Sequence, residues 1–252
     1  MRLRSAVIAL LCMAGCRQIL GLDSPVVGEP TSDGPPIRDA TFDSPDAPAT
    51  SGPMFVQGSS AYDDNGTEVM TTLAGETPGD LLLVEIAWLD PSITATLTDS
   101  DNNSYEALVP VTDGTNAELA VFIAPDLAPS GTPNRFTVTL SAATTAAIVV
   151  AEYRGLAATA PVVNMVEAHG ASRNANSGPL LAISGDLLVG VLSSTAMMTA
   201  GAGFTQRVVS VDGLHMIEDR LAGANASYSA TASGGGVAST WLIELIELRP
   251  GP

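Results

Sequence analysis

Apolar residues in this chain fall in short runs separated by turn-forming clusters. Residues 81–88 (LLLVEIAW), 119–123 (LAVFI), 148–153 (IVVAEY), 187–192 (LLVGVL) and 241–248 (WLIELIEL) are each of strand length. Residues 136–140 (FTVTL) alternate strictly, which puts Phe136, Val138 and Leu140 on one face. The runs are rich in β-branched and aromatic residues, as strands are. Between them lie residues 99–103 (DSDNN), 112–114 (TDG), 129–131 (PSG) and 233–236 (SGGG), whose Gly and Asn tolerate positive φ and mark turns. The Ala-rich stretches are broken by Gly, Thr and Ser, so no long amphipathic helix is expected. The pattern predicts an all-β protein, a β-sandwich.

A weak internal repeat refines that expectation. Gly79-Asp80-Leu81-Leu82-Leu83-Val84 returns as Gly185-Asp186-Leu187-Leu188-Val189-Gly190. FTVTLSAATTAAIVVAEYRG from Phe136 resembles YSATASGGGVASTWLIELIELR from Tyr228. In each, an aromatic opens a Thr/Ser-alternating strand, small residues are expected to turn the chain, and an apolar strand ends in Glu and then Arg. Either two sandwiches stand in tandem, or one larger body, jelly-roll-like or built of two similar sandwich halves, spans residues 54–252. No Pro/Gly linker separates the halves, which favours the single body.

The residues before this body read differently. Residues 23–53 are rich in Pro, Asp, Ser, Gly and Thr and have no apolar period, the composition of a disordered tether. As a coil it would reach roughly 30 Å, and fully extended about 90 Å. Ahead of it, Arg2 and Arg4 precede an apolar or small stretch, residues 5–15 (SAVIALLCMAG). That is the layout of a secretory signal, and it is shorter than the ~20 residues a membrane-spanning helix needs. The stretch ends Met13-Ala14-Gly15-Cys16. This resembles the lipobox of bacterial lipoproteins, with Met13 where Leu is usual. The resemblance implies that Cys16 receives a diacylglycerol and, after cleavage, becomes the first residue. The segment Cys16-Arg17-Gln18-Ile19-Leu20-Gly21-Leu22-Asp23 is similar to the opening of myxobacterial lipoproteins. The expected organisation is a signal peptide at 1–15, a lipidated Cys16 and tether at 16–53, and a β-sandwich at 54–252. The expected location is the cell envelope, at the outer membrane or cell surface; ordinary secretion or a periplasmic location without lipid is the alternative.

Composition excludes some partners. There are 27 acidic residues against ten basic ones, all Arg, for a net charge of −17. Loss of Arg2 and Arg4 would take it to about −19. Such a surface lacks the basic footprint that nucleic acid or anionic lipid requires. Cys12 lies within the signal, so Cys16 would be the one thiol left and its use would be attachment, not a disulfide.

Candidate chemistry is sparse. No His-Glu-x-x-His, Cys/His cluster, Gly-x-Ser-x-Gly elbow or phosphate loop occurs. Asp99, Asp101 and Asn103 alternate oxygen-bearing side chains, which suits Ca²⁺. Ser104 stands where a helix-loop-helix calcium loop has Gly, and Pro110 where it ends in Glu; a polar hairpin turn between residues 93–98 and 105–109 is the plainer reading. Glu218 and Arg220 would be neighbours on one strand face, as a surface ion pair. His169 and His215 read as a loop residue and a strand-face residue without ligands. Trp88 and Trp241 sit in apolar runs and read as core, leaving Tyr62 and Tyr105 as the exposed aromatics. Residues scattered over 54–249 (Gly-Asp-Leu-Leu, Thr-Asp-Ser-Asp-Asn-Asn-Ser-Tyr, Ala-Glu-Tyr-Arg-Gly-Leu) resemble a recurrent β-sandwich module of bacterial surface proteins, which implies a fold but no activity. The functional expectation is a lipid-anchored, non-enzymatic binding or structural module whose partner is a glycan or another envelope protein. A hydrolase with a loop-built site and a calcium-stabilised adhesion or glycan-binding module are the alternatives.

Overall fold

The computed structural model describes residues 52–252, apart from 129, 131, 132 and 237. Cys16, the signal-like segment and almost all of the expected tether lie outside the described residues. The described chain is all β, as the apolar pattern predicts. Its strands are β1 (Met54–Leu73), β2 (Leu81–Leu89), β3 (Ala95–Asp99), β4 (Glu106–Ala107), β5 (Val111–Thr112), β6 (Ala117–Ala124), β7 (Asn134–Arg154), β8 (Val162–Ser172) and β9 (Asn174–Asn176). They continue as β10 (Leu180–Ala182), β11 (Leu187–Ser194), β12 (Met198–Ala200), β13 (Thr205–Val209), β14 (His215–Leu221), β15 (Ala226–Tyr228), β16 (Thr231–Gly234) and β17 (Ser239–Leu248).

Two antiparallel sheets dominate. The first runs β1-β7-β2-β6-β4, with β3 on β7 and β5 on β6; the second runs β13-β14-β11-β17-β8. Leu83, Val121 and Ala151 of the first share one buried cluster with Val189, Ile217 and Ile246 of the second. The two sheets therefore pack face to face over a common core. Their outer faces are covered as well. Leu82, Val84 and Ile86 lie with Val69, Phe136 and Val138, from the far stretches of β1 and β7. Leu188, Leu192 and Ile243 lie with Met198, Ala175 and Ala232, from the small sheet β12-β16-β9. Strands buried on both faces are near-continuously apolar, which is why β2 and β11 read as apolar runs, broken only by Glu85 in β2 and by Ser193 and Ser194 at the end of β11.

The repeat has a structural counterpart, with each half supplying one of the two main sheets. Gly79 N–H donates to Leu127 O (2.9 Å) and Leu127 N–H to Asp80 O (3.0 Å); Gly185 N–H donates to Ala222 O (2.8 Å) and Ala222 N–H to Asp186 O (2.9 Å). Both glycines have positive φ. Glu152 sits opposite Leu82, and Glu247 opposite Leu188. Beside each of those glutamates the outermost strand carries an irregularity, between Phe55 and Gln57 in β1 and opposite Glu247/Leu248 in β8. Both buried glutamates accept a backbone N–H: Thr77 donates to Glu152 (2.7 Å) and Ile183 to Glu247 (2.9 Å).

Two local expectations are corrected. Residues 141–147 (SAATTAA) do not turn the chain: β7 runs unbroken through them, because small side chains let a long strand bend where β1 carries bulges between Asp63 and Glu68. Residues 93–98 and 105–109 do not form a hairpin, since β3 pairs with β7 and β4 with β6.

Candidate functional site

One end of the inter-sheet space stays open. A cavity of about 290 Å³ is walled by Trp88, Leu89, Leu214, Trp241 and Leu242, with Tyr62, Ser193, Asp212 and His215 on its polar side. The two tryptophans are buried, as expected, and their indole N–H groups are spent on protein acceptors, Ile93 O (2.9 Å) and Ser172 Oγ (3.1 Å). They present apolar surface to the cavity.

The polar side is built by the turn between β13 and β14. Ser210 O accepts from Gly213 N–H at 2.9 Å, and Gly213 has φ 76°, a conformation that favours glycine. Asp212 Oδ1 accepts from Ser210 Oγ and from Leu214 N–H (3.1 Å). Ser210 Oγ in turn accepts the His215 N–H at 3.0 Å. This network fixes the start of β14 and aims the His215 side chain inward. His215 lies on strand β14, as expected, and is 8% exposed. Its Nδ1 lies 3.5 Å from Glu85 Oε1, and its Nε2 lies 3.7 Å from Asp212 Oδ2. These are ion-pair distances, not hydrogen bonds: both Glu85 oxygens, His215 Nδ1 and Asp212 Oδ2 are buried without a hydrogen-bond partner.

Glu85 is fully buried between the sheets. Burial pushes its pKa up to about 7, with His215 opposing the rise and Asp212 adding to it. Glu244 on β17 is the second fully buried carboxyl of that face, pushed up to about 8 by burial and then by Glu167. Neither of its oxygens has a hydrogen-bond partner.

The repeat shows that the fold does not require these groups. By strand register, Glu85 corresponds to Val191, Glu244 to Val149, His215 to Leu119 and Ser193 to Ala87. At each place one half carries the apolar residue that packing favours, and the other carries a polar one facing the shared interior. This comparison of halves is the signal in the sequence that could have found the site.

Other candidates fall elsewhere. Asp99 and Asn103 are brought together, but as acceptor and donor. Asn103 gives its backbone N–H (3.0 Å) and side-chain amide (2.9 Å) to Asp99, and the Tyr105 hydroxyl donates to the same carboxylate. Burial raises the Asp99 pKa, yet these hydrogen bonds outweigh it and hold the group below its usual value. Asn103 and Asn134 also donate to Glu76 (3.3 and 2.7 Å). Asp101 Oδ2 has no hydrogen-bond partner. No group of three or more His, Cys, Asp or Glu among the described residues is arranged to hold a metal.

Glu218 and Arg220 do not form a surface pair. Glu218 is buried and accepts the Gly201 N–H (3.2 Å), while the Arg220 guanidinium lies over Tyr228, 4.7 Å from its ring centre. The ion pair belongs to Asp219, which binds Arg207 at 2.9 Å. His169 is exposed on β8, and Tyr62 is exposed at the cavity mouth, whereas Tyr105 is only partly exposed.

Compared with protein-family models, curated proteins and solved structures, the chain matches none of them. Its functional reading therefore rests on its own residues.

Proposed function

We propose that this chain is an exported lipoprotein of the bacterial cell envelope, held by a lipid on Cys16, whose β-sandwich is a non-enzymatic binding module with its ligand site in the end cavity. The observation that carries the binding reading is the cavity itself: apolar walls converge on Asp212 and His215, and Asp212 Oδ2 and His215 Nδ1 are buried without a hydrogen bond. Apolar walls with a few convergent polar groups are the usual make-up of a small-ligand site. The Arg2/Arg4 opening, the apolar stretch and Met13-Ala14-Gly15-Cys16 support export and anchoring. Several acyl chains, at ~0.8 kcal/mol per buried CH₂, make such an anchor stable. No helix among the described residues is long and apolar enough to cross a membrane.

A hydrolase is the second reading, because Ser193 sits directly opposite His215 on the neighbouring strand. It is weaker, because no hydrogen bond joins Ser193 to His215 and His215 Nε2 faces Asp212 instead. Two measurements test the proposal. Cys16→Ala is expected to move the protein from membranes to the soluble fraction; unchanged membrane retention rejects the anchor. A small-fragment library of mixed charge is expected to yield compounds that perturb the amide resonances of Leu214 and His215. If no fragment of any charge does so, the cavity is not a ligand site.

A further inference from the structure

The chemistry of the cavity wall narrows what it can hold. Asp212 Oδ1 is saturated by Ser210 and Leu214, while Asp212 Oδ2 is buried without a hydrogen-bond partner. An orphaned carboxylate oxygen calls for a donor, and a cationic donor answers both its lone pairs and its charge. Glu85 stands behind His215, 3.5 Å away. Two acids, Glu85 and Asp212, thus flank a single imidazole, whose Nε2 is 3.7 Å from Asp212 Oδ2, so the wall carries more acidic than basic groups. Asp63 and Asp64 add negative potential around Tyr62 at the mouth. Neither Arg nor Lys lines the cavity to offset this. An anion is repelled, and a neutral apolar compound leaves Asp212 Oδ2 unanswered.

The remaining walls are mainly apolar, with the hydroxyls of Thr145, Ser193, Ser194, Thr195 and Thr240 among them, and the rim adds apolar side chains. Met197 (71% exposed) lies against Gly213, and Val211 (85% exposed) stands in the same turn. A hydrated metal ion gains nothing from Trp88, Leu214, Trp241 and Leu242. A quaternary ammonium carries charge but no N–H. A volume of about 290 Å³ lies at the lower end of small-molecule pockets.

We infer that the cavity binds a small primary ammonium compound with an apolar body, the ammonium donating to Asp212 Oδ2 and the body lying against the tryptophan and leucine walls. This rests on the end cavity being the ligand site. The test titrates the full-length chain, in detergent micelles with empty micelles as reference, with pentylammonium, pentan-1-ol and pentanoate, following the Leu214 and His215 amide resonances. Pentylammonium is expected to bind at least tenfold more tightly than pentan-1-ol, and pentanoate not to bind. Asp212→Asn keeps an acceptor for Ser210 and Leu214 and is expected to abolish the preference for the cation. Ser193→Leu, which narrows the cavity without touching Asp212, is expected to weaken pentylammonium binding. Equal binding of pentan-1-ol and pentylammonium, or an intact preference in Asp212→Asn, overturns the inference while leaving the cavity a ligand site. Failure of pentylammonium to bind, when other library fragments do occupy the cavity, overturns it in the same way. Failure of every compound overturns the site as well.

Discussion

Glu85 on β2 and His215 on β14 face each other across the inter-sheet space, carboxylate oxygen to imidazole nitrogen at 3.5 Å. Each stands where the corresponding strand of the other half carries an aliphatic residue, Val191 for Glu85 and Leu119 for His215. Removing one member of a buried pair strands the other, at about 3–5 kcal/mol, whereas replacing both with residues that pack is often neutral or stabilising. His215→Leu alone is therefore expected to destabilise strongly, and the double variant Glu85→Val/His215→Leu to recover most of the loss. Denaturant unfolding of the two single variants, the double and the parent gives the coupling. Additive losses would mean that the two groups do not interact.

Glu244 has no such partner. Both its oxygens are buried and unbonded among apolar side chains, and burial sets its pKa at about 8. Glu244→Val copies the Val149 position of the other half. It is expected to stabilise the protein by roughly 1–3 kcal/mol at pH 8.5, the cost of an unsatisfied buried polar group, and by less at pH 5, where the carboxyl is protonated. Unfolding midpoints at the two pH values check this. A destabilised variant would show that Glu244 has a partner in solution.

Several carboxyls share this sign. Burial raises Glu85 and Glu218 to about 7, and burial followed by Glu152 raises Asp80 to about 6. An acid with a raised folded pKa binds its proton more tightly folded than unfolded, so its contribution is fully present below the ordinary carboxyl pKa of ~4 and is lost as pH climbs through the folded value. Asp99, held low, has the opposite sign and acts only in stronger acid. The melting temperature is therefore expected to fall between pH 5 and pH 8.5. At about 2–4 °C per kcal/mol for a body of this size, the fall should be easily measured by calorimetry. A flat or rising profile would contradict the buried-acid assignment.

The Asp99 cluster gives a fourth test of stability. Its carboxylate is occupied by Asn103 and Tyr105. Melting is expected to be the same in excess calcium and in excess EDTA, while Asp99→Ala lowers the stability by ~1–3 kcal/mol through its orphaned donors. A calcium-dependent rise would mean that the ion displaces those donors, since a ligand stabilises only what it binds.

Much of the architecture was readable from the apolar runs. Strands buried on both faces are mostly apolar, and residues 81–88, 187–192 and 241–248 coincide with β2, β11 and β17 to within a few residues. The bend in β7 was not readable, because Ser, Ala and Thr suit a turn and a strand equally well. The site was hidden for a different reason. When both faces are buried, the alternation that separates inside from outside vanishes, so a lone Glu85 or Glu244 in an apolar run carries no sign of which way it points. His215 meets Glu85 only through the packing of one sheet on the other, a relationship that no local pattern encodes.

The halves also bear on how such a site can arise. Two sheets of one strand plan are packed face to face here within a single polypeptide. Two identical subunits related by a twofold axis must repeat every substitution, so a glutamate at the position of Glu85 would bring a second one into the same interior. Within one chain the copies can diverge independently. One contributes an acid, the other a histidine opposite it, and the interface between similar halves becomes a place where unlike groups meet.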